Sequence, residues 1–287
     1  MMPVVDSQVP PISQADLSDA ISADAAALPA KSSTLFRTAA SVSAPIAALP
    51  AESDFVLIDV ISATSAAIPA SSPFVMNVAQ AGDALVLMRS LADGSVALGF
   101  FDPQYRELLE RQRYGNEGVS RQSVRARLPA MSASYINEVI AEFARVLRPS
   151  GYLMRWLDKY VLCEGRHLCV PPDMLKIVDL ISTDNDRIGM GYRTRCRGDH
   201  LLVMQKPPIK ARATWTDHGI PDRWIEKVDR RIHPHAKPIG LIGRLIGAVT
   251  EPGDLVVDPA AGSFVVMHAA MQLGRTFIGC DLARFGP

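Results

Sequence analysis

Short apolar runs alternating with helix-patterned segments constrain this chain most. Val96–Phe101 (VALGFF) is an unbroken apolar run of strand length. Downstream of it Ile136, Val139, Ile140, Phe143, Val146 and Leu147 recur at intervals of mostly three and four residues. That spacing gathers them on one face of a helix, with Ser134 as a plausible N-cap and Pro149 and Gly151 as its stop. Residues 152–157 then read as another strand. The rhythm returns near the C-terminus, where 255–257, a helix over about 264–273 and 276–280 form a further strand-helix-strand unit. Upstream, 74–78 reads as a strand and 84–91 as a short helix, with Asp93-Gly94 as a turn before Val96. Strands separated by helices run parallel and are covered on both faces, so the expected fold is α/β with a mostly parallel central sheet.

Composition divides the rest. Residues 1–73 are rich in Ala, Ser and Pro, repeat AALPA at 26–30 and 47–51, and carry Asp6, Asp16, Asp19, Asp24, Glu52, Asp54 and Asp59 against Lys31 and Arg37. Such a composition predicts a loosely ordered acidic arm. Its opening acids are the wrong charge for a secretory leader, and Pro69 and Pro73 interrupt the best apolar stretch, so a cytoplasmic protein with no membrane partner is expected. Cys163, Cys169, Cys196 and Cys280 form no CxxC pair; Cys163 and Cys169 with His167 between them make at most half a metal site, and no metal is expected. The net charge of +0 conceals two basic clusters. One holds Arg106, Arg111, Arg113, Arg121, Arg125 and Arg127; the other, beginning at Arg187, includes Arg193, Arg195 and Arg197. Either is a solvated loop or a surface that tracks a polyanion. The chain thus divides into the arm 1–73, an α/β segment 74–164, a region 165–231 that loses the rhythm while gaining charge and tryptophan, and a second α/β segment 232–287.

Two strand ends carry chemistry. The first runs into Asp102-Pro103-Gln104-Tyr105, an acid, a proline and an aromatic at the mouth of a buried strand. The second runs into Asp258-Pro259-Ala260-Ala261-Gly262-Ser263-Phe264, and the strand after it ends at Asp281. A glycine turn after a strand lets backbone approach a ligand, and an acid at the end of the next strand can accept from two ribose hydroxyls.

In order, GDALVLMRSLADGSVALGFFDPQY, HPHAKP and GDLVVDPAAGSF followed by GRTFIGCDL resemble the successive motifs of the beta-class DNA amino-methyltransferases, from about residue 74 to the end. Residues 145–159 and 191–208 also look like family segments. In that family the target-base motif precedes the cofactor motif, a circular permutation, as here. The resemblance implies a Rossmann-like class I methyltransferase using S-adenosylmethionine, double-stranded DNA as substrate and a homodimer. It implies that Asp102 and the Pro103 carbonyl hold the exocyclic amine of adenine, beside Gln104, while Tyr105 stacks on the extruded base. It also implies that Asp281 binds ribose, that Asp258, Ala260, Gly262 and Ser263 shape the turn, and that His233 and Lys237 bind a carboxylate. DNA contacts fall to Arg106, Arg111, Arg113, Arg193, Arg195 and Arg197, with target recognition in 165–231. Trp215 and Trp224 are base-stacking residues or, more commonly for tryptophan, packing residues. An acid at 102 agrees with adenine-N6 chemistry, since related cytosine-N4 enzymes commonly carry Ser there. The chain departs from the family at Gln104, usually Pro, at Ala260, usually Phe, and at Phe264, usually Gly; Phe264 could supply the apolar surface that Ala260 lacks.

Overall fold

The computed structural model describes Ala67 and residues 72–104, 131–165, 174–186, 188, 194–228 and 237–282. Tyr105, Arg106, Arg111, Arg113, Arg193, His233 and almost all of the arm lie outside them. The elements are α1 (Ala84–Arg89), β1 (Val96–Phe101), α2 (Ala133–Val146), β2 (Leu147–Leu157), α3 (Lys159–Cys163), β3 (Lys176–Asp184) and β4 (His200–Gln205). They continue with β5 (Arg223–Ile225), α4 (Ile239–Val249), β6 (Leu255–Asp258), α5 (Val265–Gln272) and β7 (Thr276–Gly279). The strands join one sheet in the order β5-β3-β4-β2-β1-β6-β7. All neighbours pair parallel except that β4 is antiparallel to both β2 and β3.

Alternation along the central strands feeds two cores. Val96 and Phe101 of β1 face one side with Ile136, Val139, Ile140 and Phe143 of α2. Leu98 and Phe100 face the other with Leu241, Ile242 and Leu245 of α4 and Val266 and Ala270 of α5. β1 is buried at every position, as a strand covered on both faces must be. Gly99 is set by packing: a Cβ there would lie 2.3 Å from the Phe143 ring, so a larger residue would push α2 off the sheet.

Several expectations are corrected. The cap of α2 is Ser132, which accepts from the Tyr135 N–H, not Ser134. The helix ends at Val146, and β2 begins at once, running through Pro149 and Gly151 across an irregularity in its pairing with β1. Residues 74–78 are not a strand. Asn77 adopts a left-handed backbone (φ 60°) and bonds both ways with Phe277 of β7. Together with the Ala81–Asp281 bridge, this covers the open edge of the sheet. The rhythm over 165–231 does not stop as read: β3, β4 and β5 belong to the same sheet. Among the described residues no helix is long and apolar enough to cross a membrane.

Candidate active site

Parallel pairing of β1 with β6 decides where chemistry can occur. Leu98 is in register with Val256 and Gly99 with Val257, so both strands end on the same edge of the sheet. From β1 the chain goes to β2 on one side; from β6 it goes to β7 on the other. Neighbouring strands whose connections diverge leave a crevice beyond their carboxyl ends, the usual ligand position in open α/β sheets. Asp102 stands past the end of β1 and Asp258 at the end of β6, one on each side of that crevice.

Two acids hold the turn after β6. Asp258 Oδ1 accepts from the Ala260 N–H at 3.1 Å, and Gly262 (φ 49°) donates its N–H to Asp281 Oδ2 at 3.1 Å. The acid at the end of β7 is thereby tied across the glycine turn. Ser263 is half-buried beside it. Phe264 does not take the place of Ala260. Its ring is 2% exposed in the core under α4 and α5, whereas Ala260 packs against the opposite core. Phe264 also has φ 56°, a left-handed conformation in which glycine would be relaxed.

Asp258 is 6% exposed. Burial pushes its carboxyl up to about 8; the Ala260 N–H opposes the shift, and the negative charges of Asp102 and Asp281 add to it. On the other side of the crevice a cation of the chain faces two acids. Lys237 Nζ lies 3.1 Å from Asp102 Oδ2 and 3.2 Å from Asp199 Oδ2, and 4.7 Å from the centroid of the Trp156 ring. Burial works against the lysine's charge, but Asp102 and Asp199 outweigh it and raise its pKa above the ordinary value. Pro103 is buried and Gln104 half-buried, with the Gln104 carbonyl accepting from the Met131 N–H at 2.8 Å.

Lys237 owes its position to α4. Pro238 offers that helix no side-chain cap; instead Glu226 accepts from the Gly240 and Leu241 N–H groups at 2.9 and 3.1 Å. A carboxylate at a helix N-terminus satisfies free donors and the helix dipole together. Glu226 Oε2 also accepts from Trp224 Nε1 at 2.7 Å. Trp215 donates to the Asp217 carbonyl and meets Tyr152 edge-on, and Asp217 pairs with Arg244 of α4. Both tryptophans are therefore engaged in packing.

Of the described arginines expected on DNA, Arg195 is exposed. Arg197 donates to Asp184 at 3.0 Å and lies 3.7 Å from Asp186, closing the β3–β4 end of the sheet. The sequence reading missed Asp199 and Trp156. A signal was present: Asp102, Asp158, Asp184, Asp199, Asp258 and Asp281 each lie within two residues of a strand end, and the topology brings these ends to one edge.

A mostly parallel α/β sheet with a glycine turn, a strand-end acid and a second acid across the crevice defines a Rossmann-like fold of the kind methyltransferases use. The comparisons narrow the class. Residues 181–285 match the family described as DNA methylase, of the N6/N4 type. The Type II methyltransferase M.HhaII of Haemophilus parahaemolyticus is 48% identical over 208 residues, 72% of this chain and 91% of its own length. The DNA adenine methyltransferase YhdJ of Escherichia coli (strain K12) is 48% identical over 50 residues, 17% of each chain. Among solved structures, the PvuII DNA methyltransferase (cytosine-N4-specific) aligns over 71% of this chain and 81% of its own with a TM-score of 0.55 and 18% identity, a likeness of fold. The chain belongs to the N6/N4 DNA methylase family.

Proposed function

We propose that this protein is a beta-class enzyme that transfers a methyl group from S-adenosylmethionine to N6 of an adenine flipped out of double-stranded DNA. The observation that carries the reading is the parallel pairing of β1 and β6, which puts Asp102 and the 258–263 turn on one edge at a switch point of the sheet. The residues present fit the donor. Gly262 approaches Asp281 through its backbone, and the buried Asp258 meets carboxylates and a backbone N–H, so a cationic ligand would relieve it. Asp258, Ala260, Gly262, Ser263 and Asp281, with His233 and Lys237 from the segment before α4, would hold it. When bound it supplies an electrophilic methyl group on a sulfonium.

The chain's own residues address the weakness of the nucleophile. The lone pair of an exocyclic amine is delocalised into the ring, so its two hydrogens must be held for the nitrogen to turn its lone pair outward. Asp102 accepts one and the Pro103 carbonyl the other, in the preorganised, partly desolvated position where such contacts matter most. Gln104 borders the same pocket. Tyr105 stacks on the extruded base, and a contact of that kind contributes about 1–3 kcal/mol, similar to the cost of unstacking. The acid at 102 favours adenine over cytosine. Arg106, Arg111, Arg113, Arg193 and Arg195 would contact phosphates, with target choice in 165–231, and the active form is a homodimer in the cytoplasm. Incubation of unmodified DNA with labelled donor, followed by nucleoside mass spectrometry, should yield N6-methyladenine. N4-methylcytosine would overturn the base assignment, and DNA binding with no methylated nucleoside would overturn catalysis.

A further inference from the structure

Lys237 is the cation that the structure sets between two acids of different strands. β2 lies between β1 and β4 in the sheet. Asp102 follows β1, Asp199 precedes β4, and Trp156 belongs to the strand between them, so the ammonium spans β2 above the indole and reaches a carboxylate on either side. Such a cation gains from the ring face as well as from both acids. Its side chain is 14% exposed, against 30% for Asp102 and 39% for Asp199. Two of the three N–H donors of the lysine are thus committed, and their directions are fixed by two separate strands.

Asp199 is itself held firmly. Its carbonyl accepts from the Thr183 N–H and hydroxyl, both at 2.9 Å, and its N–H donates to Thr183 Oγ1 at 3.1 Å. At the preceding Gly198 a Cβ would lie 1.7 Å from the Thr183 carbonyl oxygen, so the chain can pass here only as glycine. A rigid β3–β4 end therefore presents the Asp199 carboxylate to Lys237 with its backbone already satisfied.

We propose that Asp199 is a positioning residue for methyl transfer: it anchors the Lys237 ammonium over Trp156, so that the lysine fixes Asp102 through Oδ2 and leaves Oδ1 aimed at the exocyclic amine. Asp199 acts through Lys237 and touches neither donor nor base. The role rests on the function proposed above. Without the anchor, Lys237 would follow Asp102 as a single flexible pair, and misplacement of an acceptor by about 1 Å is enough to cost of the order of 10²-fold in rate.

The test is single-turnover methyl transfer with saturating donor and DNA, comparing wild type, Asp199→Asn, Asp199→Glu, Lys237→Met and the double variant Asp199→Asn/Lys237→Met. Asparagine keeps the backbone bonds to Thr183, so the thermal midpoint and the DNA affinity should stay near wild type while the transfer rate at saturating donor falls about 10-fold or more. Glutamate should restore part of that loss. In the Lys237→Met background Asp199→Asn should add little, because the two act as one unit. A wild-type rate for Asp199→Asn, a loss that vanishes once donor and DNA are saturating, or full additivity with Lys237→Met would each overturn this inference while leaving the methyltransferase reading intact. Wild-type protein that transfers no methyl group would overturn both.

Discussion

Asp102 and Asp258 close neighbouring parallel strands, yet they differ in burial and in the charges that face them. Asp102 is 30% exposed and faces the Lys237 ammonium at 3.1 Å. Asp258 is buried, supported by the Ala260 N–H and repelled by Asp102 and Asp281. A carboxyl removed from water among like charges keeps its proton. The proposed base-binding side thus already holds a cation of the chain, Lys237. The turn side becomes complete only when positive charge arrives, and S-adenosylmethionine carries it on sulfur. Under the proposed function, the contrast separates an acceptor already facing a cation from a binding site that responds to its ligand.

The sharpest way to break this contrast is at Asp102. Asp102→Ala should lower single-turnover transfer about 10²–10³-fold, the usual loss for one preorganised contact at a reacting centre. Donor affinity, measured by calorimetry, should remain, and Tm should change little. If donor affinity fell with the rate, the two sides could not be treated as separate.

Asp258 gives the next effect, and its sign is fixed by the direction of its shift. The folded form holds a proton up to about pH 8, whereas the unfolded form releases it near the ordinary carboxylate value. The native state thus binds more protons across that interval, so this group's contribution to stability falls as pH rises toward 8 and then levels off. Asp258→Asn, which cannot titrate, should flatten the pH dependence of the thermal midpoint between about pH 5 and 8. At pH 7, donor binding to wild type should release protons, seen as a calorimetric heat that varies with buffer ionisation enthalpy. Equal heats in all buffers would show that Asp258 does not respond to the ligand's charge.

Phe264 tests the same turn through packing. Losing a buried phenylalanine ring costs about 3–5 kcal/mol, while relaxing a left-handed residue returns about 1–2 kcal/mol. Phe264→Gly should therefore lower stability by about 2 kcal/mol in chemical denaturation, with Phe264→Ala lower still because it keeps the strain. A gain on Phe264→Gly would mean that the backbone conformation, not the core contact, dominates at this departure from the family pattern.

What could be read beforehand follows from how local the determining forces are. β1 and α2 were legible because a strand buried on both faces reads as an apolar run and a one-sided helix repeats at three and four residues. The crevice acids were legible because each follows such a strand directly. β3 was not: Lys176, Ile177, Val178 and Asp179 are exposed, so its first half carries no alternation, and β5 is three residues long. Residues 74–78 have strand composition, but the left-handed Asn77 bends them along β7. The Asp102–Lys237–Asp199 arrangement joins residues distant in sequence through the strand order, and no local pattern encodes it. Phe264 looked like a substitute for a missing aromatic because its neighbour in sequence was small; the turn directs the two side chains to opposite cores.

The smallest effect separates two arginines that sequence alone treats alike. Both are exposed, but Arg197 reaches Asp184, a carboxylate whose pKa is lowered: its own desolvation opposes that, but bonds from Arg197 and the Asp186 N–H prevail. If Arg195 meets a phosphate, Arg195→Ala should weaken DNA binding similarly for all sequences and reduce the slope of log K against log salt by about 1. Arg197→Ala should leave that slope unchanged and instead lower the thermal midpoint slightly. The loss should be greatest above the ordinary carboxylate range, where Asp184 is ionised and the pair contributes, and should fade as acid protonates it in both proteins. A salt slope that fell only for Arg197→Ala would reverse the assignment and place the β3–β4 end of the sheet, with Asp199, against the duplex.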